Sequence, residues 1–294
     1  MSITAGMVKE LRERTGAGMM ECKRALTESN GDIEAAIEAM RKSGMAKADK
    51  KSGRVAAEGM VIIRASADKK HAVIVDVNCE TDFVAKGDDF QQFAAAVGDC
   101  VLANQPADLA ALNNFPLTPG GLSVEEVRRN LIAKIGENIA IRRFKLASAA
   151  NGVVGCYSHG TRIGVLVEMV GGNEELAKDV AMHVAASRPI CVSDEQVSAE
   201  LIAKEREIFI AQAKDSGKPD NIIEKMVDGR VKKFLAEVTL VGQPFVKDPD
   251  ITVSKLLQNG KGSVTSFCRY EVGEGIEKQQ SDFVAEVMAQ ARGN

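Results

Sequence analysis

Three histidines, six cysteines and a crowded acidic stretch are where a search for covalent or metal chemistry starts in this chain. His71, His159 and His183 fall in strand, turn and helix contexts, none at a recognisable spacing from a Ser or Cys nucleophile. Cys22, Cys79, Cys100, Cys156, Cys191 and Cys268 form no Cys-x-x-Cys pair and no Cys/His cluster that would hold zinc. Reduced thiols in a cytoplasm are the simplest account. No Gly-x-x-x-x-Gly-Lys-Ser/Thr loop and no strand-linked Gly-x-Gly-x-x-Gly offers a phosphate cradle. Glu80 and Asp82 are close in sequence, but neighbouring carboxylates without a supporting base make a poor hydrolytic pair. His183, on an apolar helix face, fits a hydrogen-bonded core residue better than a catalyst. The expectation is a non-enzymatic chain without cofactor or metal that acts by contact.

The stretch best suited to contact is Thr81-Asp82-Phe83-Val84. Before it, His71 to Val77 is nearly all apolar and predicts a buried strand. After it, Phe90, Phe93, Ala94 and Val97 recur at helical spacing. Phe83 therefore sits in a strand-to-helix loop, either folded back as a lid over its own core or presented as an anchor for a partner. An internal repeat favours the anchor. Gly152 to Tyr157 matches Gly59 to Arg64, and Gly164 to Met169 matches Ala72 to Val77. In place of Glu80 to Lys86, however, the second copy has only the plain Val170-Gly171-Gly172-Asn173-Glu174.

Composition narrows the partners. A net charge of −3 with 27% charged residues lacks the basic excess of a nucleic-acid binder. With no Trp and two Tyr, aromatic side chains are scarce, which argues against a base-stacking platform. Apolar runs are too short to span a bilayer, and the start of the chain shows no signal peptide. A cytoplasmic protein is expected.

Taken in order, the elements predict an α+β fold. Residues 1–44 form a three-helix, UBA-like module, with Thr4 and Asp32 as caps. Met19, Met20, Cys22, Ala25 and Leu26 make the stripe of its second helix, and Gly16-Ala17-Gly18 a tight corner. Residues 45–57, rich in Lys and small side chains, are a linker with helical tendency and a solvated charged face. Residues 58–146 and 147–280 are two repeated hairpin-plus-helix subdomains. The first contains an irregular surface segment near 104–122. The second is interrupted at about 194–235 by an antiparallel helical hairpin expected to project. One helix carries Val197, Leu201, Ile208 and Ala211 on a face; the other carries Ile223, Met226, Val227, Val231 and Phe234. Gln243 to Val246 is a short apolar tongue, and residues 281–294 a last amphipathic helix through Phe283, Val284, Val287 and Met288.

Several long stretches, in order, resemble one known family. They are Val8-Lys9-Glu10-Leu11-Arg12-Glu13-Arg14-Thr15-Gly16-Ala17-Gly18-Met19-Met20 with Cys22-Lys23, and Asn78-Cys79-Glu80-Thr81-Asp82-Phe83-Val84-Ala85-Lys86. Lys134 to Asn138, His159-Gly160, Met182 to Ala186 and Gly273 to Glu277 extend the match to essentially the whole chain. The chain is thereby similar to the bacterial elongation factor Ts family, the guanine-nucleotide exchange factors of elongation factor Tu. Segment 104–122 departs most, and Lys247 stands where a relative has an apolar contact residue. The resemblance implies that Thr81, Asp82, Phe83 and Val84 insert beside the partner's magnesium site, with Asp82 fixing the loop. It implies further contacts at Met19, Met20, Lys23, Ile135, Gly136, His159 and Val246, the hairpin serving as an additional arm. The partner would be elongation factor Tu in its GDP and nucleotide-free forms, and a dimer of heterodimers is admissible. The rival expectation is a ubiquitin-type protein-binding scaffold without exchange activity, suggested by the three-helix start.

Overall fold

The computed structural model describes residues 3–214 and 219–277. Helices α1 (Ala5–Thr15), α2 (Met19–Glu28) and α3 (Ile33–Lys51) come first. Thr4 caps α1 by accepting from the Met7 N–H, and Asp32 caps α3 by accepting from Ala35. Leu11, Cys22, Ala25, Leu26 and Ala36 form the small core between them. Met19 and Met20 do not join it: at the start of α2 they are 61% and 76% exposed, lying along a groove beside α1 instead of between the helices. The stretch expected as a linker is largely helix, since α3 continues to Lys51. It is held to the body by Arg41–Glu126 and Arg129–Asp49 ion pairs, by Gly44 close to Ala133, and by Lys51 donating to the Gly136 carbonyl.

Strands β1 (Glu58–Ala65) and β2 (His71–Cys79) form an antiparallel hairpin with Ile62 opposite Val75. Four helices follow: α4 (Asp82–Ala85), α5 (Asp88–Asn104), α6 (Leu109–Asn114) and α7 (Val124–Ile135). Segment 104–122 is less irregular than its prolines and glycines suggest: Leu112 of α6 is fully buried, and Pro116 bridges to Ser123. A capping box at Ser123 and Glu126 opens α7, and Gly136, at φ 88°, closes it. Strand β3 (Ile139–Ser148) then pairs with β2, giving the sheet order β1-β2-β3.

The second half repeats the hairpin with β4 (Gly152–His159) and β5 (Ile163–Gly171), followed by α8 (Glu174–Ser187). Helices α9 (Ala199–Lys214) and α10 (Asp220–Val238) pack on one another around Ala213, Ile223 and Val227. The inward side of α9 is not the expected one. Phe209, Ile210 and Ala213 face α10, whereas Ile208 and Ala211 are exposed. A charged helix with apolar residues on two sides admits either phase, and packing against α10 selects one. Strands β6 (Pro244–Phe245) and β7 (Asp248–Thr252) form a small ribbon. Helix α11 (Val253–Asn259) leads into β8 (Gly262–Glu271), which completes the sheet β4-β5-β8. The anticipated helix through Phe283 and Met288 lies outside the described residues.

The two sheets pack face to face through Val61, Ile74, Ala147, Val154 and Leu166. Helices α5 and α7 cover the outer face of the first sheet, and α8 covers that of the second. This four-layer order explains β2, whose residues after His71 are all buried: it lies between a helix layer and another sheet.

Candidate functional site

Phe83 is 82% exposed, more than any other large apolar side chain among the described residues. Its mount is not a loop but the single turn α4. Thr81 caps that turn: its hydroxyl accepts from the Val84 N–H at 3.3 Å. Val84 and Ala85 pack against the first core, so the turn has a buried side and Phe83 occupies the other. Asp82 makes a 2.6 Å ion pair with Lys86, one turn on. That hydrogen bond holds the Asp82 carboxyl below the usual carboxylate range. Asp82 thus ties the start of the turn to its end, and bracing the turn against the rest of the molecule is a separate task.

That task falls to residues 137 and 138. Thr81 donates its backbone N–H to Glu137 Oε2 at 3.0 Å and its hydroxyl to Glu137 Oε1 at 2.7 Å. Reciprocally, the Asn138 N–H donates to Glu80 Oε1 at 2.6 Å. Asn138 Nδ2 donates to the carbonyls of Ser52 and Arg54, tying the clasp to the chain after α3. Glu80 and Asp82 thus face different partners and make no acid pair. Below them, burial raises the Cys79 thiol to about 12, and its S–H donates to the Thr81 carbonyl at 3.2 Å. Glu137 and Asn138 carry no local signal of this role. Only the pairing of β2 with β3, which sets Cys79 opposite Ile139, brings residues 80–81 beside 137–138.

The other expected contact residues form three patches. Ile135 is part-buried against the first core, and Gly136 caps α7, both just before the Glu137 clasp. Met19, Met20 and Lys23 line a groove with Ile3, Val8 and Arg12. His159 and Val246 come together across a second groove with Tyr157 and Met182. Val246 is mounted by His183, which is buried as anticipated: Nδ1 accepts from the Val246 N–H at 3.2 Å, and Nε2 lies 2.9 Å from Gln243 Oε1. With Nδ1 accepting, Nε2 carries the proton and donates. Burial lowers the His183 pKa and keeps the ring neutral. Lys247 turns to Asp179 at 2.6 Å.

Among the described residues, no group of three or more His, Cys, Asp or Glu side chains could hold a metal ion. Nor is any helix there long and apolar enough to cross a membrane. All six cysteines are free thiols. Fold and surface together define an α+β scaffold that carries exposed apolar side chains, with Phe83 and Val246 held by hydrogen bonds to residues distant in the chain.

Comparison with known proteins supplies the family. Residues 80–274 match the family model described as "Elongation factor TS". "Elongation factor Ts" of Thioalkalivibrio sulfidiphilus is 64% identical over 294 residues, covering 100% of both chains. The protein of the same name from Methylococcus capsulatus is 64% identical over 292 residues, or 99% of each, and that of Legionella pneumophila (strain Paris) 57% identical over 291, again 99% of each. The chain belongs to the elongation factor Ts family, whose members are translation elongation factors.

Proposed function

We propose that this chain binds elongation factor Tu in its GDP form, accelerates GDP release by inserting the Thr81–Val84 turn beside the partner's magnesium site, and holds the nucleotide-free form until GTP binds. It acts in the cytoplasm, by contact and without turnover chemistry of its own. The observation that carries the reading is Phe83, an aromatic ring exposed on a braced single turn. A nucleoside diphosphate on a GTPase is held jointly by backbone donors, a Lys and Mg²⁺. Mg²⁺ demands near-octahedral geometry, so a ring wedged against the elements that support it weakens the whole set. Losing about 4 kcal/mol of nucleotide binding corresponds to about a thousandfold in affinity. Linkage requires the reverse, so incoming GTP expels the factor by the same coupling. The patches at Met19, Met20 and Lys23, at Ile135 and Gly136, and at His159 and Val246 serve as additional grips on the same partner. We read the two hairpin-and-helix halves as copies of one unit, of which only the first acquired the wedge.

The test is stopped-flow release of a fluorescent GDP from elongation factor Tu at saturating factor. Phe83→Ala removes an exposed ring, so the circular dichroism spectrum stays as in the parent. The release rate is expected to fall about thirtyfold, the equivalent of about 2 kcal/mol for a central aromatic anchor. An unchanged rate retires the wedge.

A further inference from the structure

We infer that Glu137 is a positioning residue, whose carboxylate sets the Phe83 ring outward before any partner arrives; the inference rests on the exchange reading above. A four-residue helix is not stable by itself, and an exposed phenyl ring gains by folding back onto nearby apolar surface. Something must therefore hold α4 in shape. The Thr81 hydroxyl has one proton, and it goes to Glu137 Oε1 at 2.7 Å. That leaves the oxygen's lone pairs facing the Val84 N–H, which is the geometry the cap needs. The other carboxylate oxygen takes the Thr81 backbone N–H at 3.0 Å. Both oxygens of one charged acceptor thus grip the residue that opens the turn, and bonds to a charged acceptor are stronger than neutral ones.

The grip is itself anchored. Glu137 follows Gly136, whose carbonyl accepts from Lys51 of α3, and precedes Asn138, whose N–H is held by Glu80. The turn, the end of α7, the start of β3 and the end of α3 are locked into one mount. A wedge ordered in advance loses less conformational entropy on insertion, so more of the binding energy reaches the partner's metal site. Glu137 acts through Thr81 and α4, and the ring does the contacting.

The chain has no tryptophan, so a Phe83→Trp variant carries one indole reporter in the free factor. Time-resolved anisotropy of that indole is compared with Glu, Gln and Ala at position 137. Glu137→Ala is expected to raise the fast-decaying amplitude about twofold, with Glu137→Gln in between because an amide retains one acceptor. In the release assay with Phe83 present, Glu137→Ala is expected to lower the rate at saturating factor about tenfold while the half-saturating concentration moves less than about twofold. In the Phe83→Ala background, the same substitution is expected to change nothing further. Equal anisotropy across the three residues overturns the inference. So does an equal slowing with and without the Phe83 ring, which would place the effect of Glu137 elsewhere. If Phe83→Ala alone leaves release unchanged, the exchange reading fails, and the anisotropy of the free factor still decides whether Glu137 holds the turn.

Discussion

His183 illustrates how a buried side chain can act at the surface without reaching it. Its ring accepts from the Val246 backbone and donates to Gln243, whose Nε2 in turn donates to the Glu237 carbonyl at 2.7 Å. One neutral imidazole thus fastens the β6 ribbon, and the exposed Val246 beside it, to α8. A proton on Nδ1 would abolish the acceptor and place a charge beside the Phe245 ring, 6.0 Å away. Burial sets the folded pKa below that of the unfolded chain, so the unfolded state takes up this proton first. The stability contributed here is full above about pH 6.5 and falls as pH drops below that value. Urea unfolding across the range of about pH 7.5 to 5.5 should show midpoints that decline with acid, and a shallower decline in His183→Gln. Equal slopes in the two proteins would mean that this ring is not the acid-sensitive group.

At the scale of elements, two glycines give predictions of opposite sign. Gly155 of β4 lies directly under α8, where an added Cβ would meet the Ala177 carbonyl and come within 2.9 Å of the Ala177 Cβ. Helix and strand cannot both stay in place, so Gly155→Ala should destabilise by about 2 kcal/mol through overpacking. Gly229, inside α10, has nothing within 4 Å of the same position. Gly229→Ala should stabilise by about 0.5–1 kcal/mol, since alanine restricts the unfolded chain and favours helix. Thermal unfolding of the two variants should therefore shift in opposite directions. Elements were the most legible level of the sequence. The apolar run of β2, the period of α5 and the caps at Thr4, Asp32 and Ser123 mark their own places. What escaped depends on partners distant in the chain. The inward face of α9 is chosen by α10, the helical end of α3 by α7, and the exposure of Met19 and Met20 by where α1 and α3 lie. The site was legible to the same extent. Phe83 stands out by type and position, whereas Glu137 becomes visible only once β2 and β3 are paired.

For the molecule as a whole, the contact between the two sheets decides how the Phe83 turn on one half is placed relative to the His159–Val246 groove on the other. Most of that contact is apolar, but one edge is ionic. Asp76 of β2 has no exposed surface; Arg143 Nε donates to it at 3.0 Å, and Arg142 lies 3.5 Å away. Arg143 then crosses to the second half, stacking 4.1 Å over the Tyr270 ring and pairing with Glu274 at 3.1 Å. Even with two arginines near, burial raises the Asp76 carboxyl above its ordinary value, so desolvation outweighs attraction there. Arg143→Ala would remove the stacking, the Glu274 pair and the main counter-charge together, and should destabilise by about 3 kcal/mol near pH 7. The carboxylate left behind would prefer to take up a proton, raising its folded pKa further above the unfolded one. A group shifted upward favours the folded state at low pH and loses that contribution as pH rises through its folded value. The stability deficit of Arg143→Ala should therefore narrow between about pH 7 and pH 5. Adding Asp76→Asn should recover part of it at neutral pH, because no charge remains to be buried. Denaturant unfolding of the single and double variants at both pH values measures this directly. A deficit that stays constant with pH, and is untouched by Asp76→Asn, would show that the stacking on Tyr270, rather than the ion pair, joins the halves.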